Sequence, residues 1–115
     1  MTTLTVSAID QSTYVIIASF RDENGQAVEP NDDLMWTLTD TAGNVINDRY
    51  QVPIGAATSV SIVLHGADLA VDHDCLLHVM IEGTYNSDLG IGLEIRDQVS
   101  FTVRRLIEAI PPVVP

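Results

Sequence analysis

Seven short segments of the chain alternate apolar and polar residues with period two, and the single tryptophan, Trp36, sits on the apolar phase of the third. That period sends successive side chains to opposite sides of a strand, so each segment has one face for a core and one for water. Leu4, Val6 and Ala8 mark the first segment, and Tyr14, Ile16, Ala18 and Phe20 mark the second, near residues 13–20. Leu34, Trp36 and Leu38 carry the third, and a short fourth lies near Val45 and Ile46. Val60, Ile62 and Leu64, then Leu77, Val79 and Ile81, then Val99, Phe101 and Val103 complete the set. The pattern predicts an all-β fold: a two-sheet antiparallel sandwich of about seven strands.

The connections carry their own signals. Asp40-Thr41-Ala42-Gly43-Asn44 is turn chemistry, because Gly and Asn accept the positive φ that tight hairpins need. Gly66 to Asp74 predicts a single helical turn between two strands, and Asn86 to Asp97, with two glycines, predicts a long loop. From Leu106 onward the chain is apolar and ends in proline, and Pro111, Pro112 and Pro115 cannot donate to a ladder. Residues 1–105 are therefore read as one sandwich domain and residues 106–115 as an extended apolar C-terminal arm.

At 115 residues a single core can bury about two thirds of the surface the unfolded chain exposes, so no second domain is needed. Cys75 is the only cysteine, which excludes an intrachain disulfide and leaves packing to hold the sheets together. Sixteen acidic residues face five arginines, a net charge of −11 whose field repels phosphate backbones and argues against nucleic acid as a partner. No stretch reaches the length of a membrane span. Met1-Thr2-Thr3-Leu4 lacks the basic and apolar runs of an export leader, so synthesis in the cytoplasm is expected.

Trp36-Thr37-Leu38-Thr39-Asp40 followed by Gly43-Asn44-Val45-Ile46 resembles the hairpin after the third strand of bacterial and phage immunoglobulin-like (fibronectin-type) domains. The other strands fall in that order over residues 4–105, while the cysteine pair common in immunoglobulin domains is missing. The resemblance implies an immunoglobulin-like sandwich. Such domains serve on phage capsids, necks and tails, so it also implies a non-enzymatic virion protein, foremost a capsid decoration or cement protein. The implied partners are the major capsid protein or other virion subunits, with self-association also open. The implied location is the virion. A neck or tail component is one alternative. Another is a carbohydrate- or receptor-binding adhesion module using the loops Phe20–Leu34 and Tyr85–Val99, although aromatic residues for a sugar platform are few.

Candidate sites follow from the same phases. Asp22, Glu23, Glu29, Asp32, Asp33, Asp88 and Glu94 would gather at one end of the sandwich, but without the spacing of a calcium loop. Asp72, His73 and Asp74 would meet Asp10, Asp40 and Asp68 at the other end, yet adjacent residues of an extended segment point apart. Neither set is assigned a metal, and no cofactor is expected. Cys75 shares the inward phase of Leu77, His78 the outward phase, and His65 a strand end, so no nucleophile meets an oriented base and no catalytic residue is named. Apolar residues on water-facing phases are more informative: Val15, Ile17 and Val63 on one sheet, and Met35, Leu76 and Met80 on the other. The expected interface residues are Ile107, Ile110, Val113 and Val114 of the arm, with Met35 and Met80 or Val15 and Ile17 as the sheet-face contact.

Overall fold

The computed structural model describes residues 2–4 and 6–106, and the arm anchors Ile107, Ile110, Val113 and Val114 lie outside them. In chain order the strands are β1 (Thr2–Thr3), β2 (Ala8–Ile9), β3 (Thr13–Ser19), β4 (Met35–Thr39), β5 (Val52–Pro53), β6 (Ser59–His65), β7 (Cys75–Ser87) and β8 (Gly90–Arg104). A 3₁₀ turn, Gly66–Leu69, follows β6 where a helical turn is expected. The fold is all-β in two sheets. The larger has the order β1-β8-β7-β4-β5, with β2 also on β8, and the smaller is the antiparallel pair β3–β6.

The alternating residues build the core from both sheets. Ile16, Val60, Ile62 and Leu64 come from the small sheet, and Trp36, Leu38, Leu77, Val79, Ile81, Phe101 and Val103 from the large one, all buried in one cluster. Each fully buried large apolar side chain contributes about 1.5–3 kcal/mol relative to exposure, so this cluster is the main stabilising term. The Tyr14 ring stacks on Phe101 at 5.0 Å between centroids, while its hydroxyl donates to the Val6 carbonyl at 2.6 Å. Tyr14 thus joins the two sheets and also fixes the chain before β2.

Three local expectations are corrected. The alternating segment at residues 4–8 does not form one continuous strand. It splits into β1 and β2, both parallel to β8, so the sheets are not wholly antiparallel. Alternation defines which face is apolar, not which neighbour supplies the ladder, and the long edge of β8 is the one taken.

The strand expected near Val45 and Ile46 is reduced to one bridge, Thr39 to Val45, and a hydrogen bond from the Ile46 N–H to the Leu38 carbonyl. Positive φ at Asn47, Asp48 and Gln51 turns the chain off the ladder, and it returns as β5 beside Met35 and Trp36.

The long loop expected over Asn86–Asp97 is instead a ribbon, with β7 and β8 paired from Cys75 opposite Val103 to Ser87 opposite Gly90. Since β4 reaches only to Glu82, the outer part of this hairpin extends past the sheet as two strands.

Candidate interaction surfaces

The outward phase of the small sheet consists of Thr13, Val15, Ile17 and Ser19 on β3 and Ser59, Ser61, Val63 and His65 on β6, every one exposed. Val15 stands opposite Val63, and Ile17 opposite Ser61, so the three apolar residues are contiguous. They are 48%, 70% and 48% exposed for Val15, Ile17 and Val63. Among the described residues of these strands no carboxylate or arginine lies on this face, although the chain as a whole carries a net charge of −11. The sheet exists because Ile16, Val60, Ile62 and Leu64 need burial, and strict alternation then forces Val15, Ile17 and Val63 into water.

The outer face of the large sheet is different. Met35, Leu76 and Met80 are half-buried there and do not form an open apolar patch. Thr37 pairs opposite Met80, and His78 opposite Ser100, with Thr37 and Ser100 buried among their neighbours. The His78 Nδ1 and the Ser100 hydroxyl share a hydrogen bond at 2.7 Å. The Gln51 N–H donates to the Thr37 hydroxyl at 3.0 Å. Polar groups therefore satisfy one another across this face, and methionine fills between them.

Several of the acidic residues have local structural partners. Asp33 accepts from the Thr84 N–H and hydroxyl, and Asp22 from the Asn24 and Gln26 N–H groups. Glu23 accepts from the Ser87 hydroxyl, which ties the 22–33 connection to the β7–β8 ribbon. At the other end Asp40 accepts from the Ala42 and Asn44 N–H groups, closing the predicted turn. The side-chain hydrogen bond from Asn44 leads the effects that hold its pKa below the usual carboxylate range. Asp74 accepts from the Arg105 N–H at 2.7 Å. Among the described residues, no group of three or more His, Cys, Asp or Glu side chains is arranged to hold a metal ion.

Asp68 is fully buried and binds three donors: Arg49 Nε at 2.7 Å, Asn47 Nδ2 at 2.8 Å and the His65 N–H at 3.1 Å. Burial alone would raise its pKa, but hydrogen bonds from Arg49, Asn47 and His65, with the Arg49 charge, outweigh it and hold the carboxyl below its usual range. This lock fixes the 46–51 loop against the 3₁₀ turn. Cys75 packs partly buried against the core. Its thiol is pushed up by burial first and then by Asp72, Asp74 and Asp40, so it stays protonated at neutral pH.

Sequence reasoning missed the tip of the β7–β8 ribbon, where Leu89 and Ile91 are 75% and 88% exposed. The signal was present in the alternation of Ile91, Leu93 and Ile95, but Gly90 before them and Gly92 among them read as loop. No protein-family model, curated protein or solved structure matches the chain. Among the described residues no helix is long and apolar enough to cross a membrane.

Proposed function

We propose that the chain is a non-enzymatic structural protein of a phage particle, acting as a capsid decoration or cement protein through an immunoglobulin-like sandwich. The observation that carries this reading is the uncharged, exposed β3–β6 face with Val15, Ile17 and Val63 contiguous upon it. On an acidic protein, a neutral apolar face is the surface that costs least to desolvate against a partner. The sandwich reading is supported by a core drawn from two sheets and by the parallel pairing of the first strands with the last.

Two seven-residue strands present roughly 250 Å², given their rise and spacing. A standard interface buries about 800 Å² per partner, so this face needs a second contact. The arm is assigned that role, with Ile107, Ile110, Val113 and Val114 as anchors on neighbouring shell subunits. Prolines restrict the free arm, which lowers the entropy lost when it docks. Repetition over a lattice then turns modest contacts into cumulative stability. The Met35 and Met80 face offers less, being half-buried and interleaved with polar groups. An adhesion module working through two end loops is less favoured, because the second expected loop is a paired ribbon.

The reading is tested by quantitative mass spectrometry of density-purified particles from the source. A copy number comparable to the shell protein supports a decoration role. About a dozen copies or fewer would replace it with a neck or tail position, and absence from particles would overturn it.

A further inference from the structure

One edge of the small sheet is left uncovered by the path of the first strands. β1 and β2 both join β8, so among the described residues β3 pairs with β6 alone. The Phe20 N–H donates to the Thr58 carbonyl and the Gly66 N–H to the Ser12 carbonyl, each at 3.0 Å. With Thr13 opposite His65, these bonds assign the even-numbered residues of β3 to the ladder and turn the main-chain groups of Ile17 and Ser19 to the other side. Among the described residues neither has a main-chain partner there. β3 also contains no charge, proline or glycine, the features that ordinarily guard a free edge.

Beside this edge a groove of about 520 Å³ opens between β3 and the Glu94–Val99 stretch of β8. Its floor is apolar, with Ile16, Ile81 and Val99 buried beneath it. Around it stand Asp22, Glu23, Glu94 and Asp97, with Arg21 the single base among the described residues that line it. The Tyr85 phenol on the same wall is pushed up, by desolvation first and then by Glu23 and Asp22, consistent with a negative local field.

We propose that this groove takes an extended segment of a partner protein, which adds as a strand to the β3 edge, seats alternate apolar side chains on the floor and presents basic side chains to the acidic rim. Main-chain hydrogen bonds to Ile17 and Ser19 supply affinity, and the floor fixes which side chains face inward. Rim charge selects a basic strand over an acidic one. The chain's own arm is disfavoured as occupant because it carries Glu108 and no basic residue after Arg105, the wrong charge for that rim. The inference does not rest on a virion role, since the partner is defined by its chemistry.

The test uses the full chain, isotopically labelled, titrated with a blocked heptapeptide of alternating arginine and valine. Saturable, salt-weakened binding is expected, with amide exchange at Ile17 and Ser19 slowed about tenfold or more at saturation. The same peptide with glutamate for arginine should not bind, and one N-methylated at the residues facing β3 should lose its binding. Glu94→Gln with Asp97→Asn, both exposed, should weaken binding about tenfold and leave the fold intact. The inference is overturned by absence of saturable binding, by equal binding of the N-methylated peptide, or by unchanged exchange at Ile17 and Ser19. It is also overturned if those amides are already protected in the free chain and lose protection when it is truncated after Arg105, which would make the arm the occupant.

Discussion

Val15 lies directly opposite Val63 across β3 and β6, and both side chains face water at about half exposure. A cross-strand apolar pair of this kind stabilises the sheet by only about 0.2–1 kcal/mol. Its position beside Ile17 on an uncharged face matters more for what the protein can bind than for how it folds.

Replacing Val15 and Ile17 with aspartate should therefore separate binding from folding. Both positions are exposed, so the expected loss of stability is about 1 kcal/mol per site or less, mainly β-propensity. Urea denaturation should show a small shift in midpoint, while association with the partner particle should be lost. A variant that unfolds instead would place these residues in the core's service.

Asp68 should dominate the acid response of the fold. Its folded pKa is lowered, so the unfolded state holds the proton more tightly. The carboxylate's contribution is complete above the unfolded value of about 3.9 and is lost as pH falls through the folded one. Asp68→Asn should cost about 1–3 kcal/mol at neutral pH, a range reduced because Arg49 is partly exposed. Urea midpoints measured from about pH 6 down to pH 2 should fall steeply for the parent chain and less steeply for the variant. Parallel curves would remove Asp68 from this role.

Gly83 lets β7 pass close to the buried Leu34. A Cβ there would lie 3.0 Å from Leu34 Cδ1 and 3.2 Å from Leu34 Cα. The side-chain atom can shift but the main chain cannot easily, because the Leu34 carbonyl accepts from the Ile54 N–H. Gly83→Ala should destabilise by about 1–3 kcal/mol in thermal or urea unfolding. A neutral or stabilising effect would show that Leu34 yields without cost.

Cys75 should react slowly with iodoacetamide at pH 7.5, because partial burial and three nearby carboxylates keep the thiol protonated. Alkylation followed by mass spectrometry should give a rate well below that of an unstructured cysteine peptide. A faster rate would contradict the structural role given to this residue.

The two-sheet β core was legible because burial follows the period: Ile62 and Leu64, Leu77 and Val79, Phe101 and Val103 all point inward as their alternation requires. The partners of the strands were less legible. Nothing local in Leu4-Thr5-Val6-Ser7-Ala8 tells it to join β8 rather than β3, since that choice depends on a 15-residue edge far along the chain. Gly90 and Gly92 concealed the ribbon, and Asn47, Asp48 and Gln51 adopt positive φ that their residue types only weakly announce. At the candidate surface, Val15 and Ile17 were visible as apolar residues on a polar phase. Asp68 suited a turn, but its bonds to Asn47 and Arg49 span 21 and 19 positions and arise only in the folded chain.

In the function proposed above, an uncharged sheet face and an apolar arm hold this protein on a phage shell. This is tested most directly by affinity capture from the source lysate with three baits: the full chain, the Ile17→Asp variant and a chain ending at Arg105. Mass spectrometry then identifies and counts what each retains. The full chain should capture the major shell protein near equimolar amounts, and both altered chains, still folded, should capture little. Capture of a glycoprotein, capture of nothing, or equal capture of the shell protein by all three baits would contradict it.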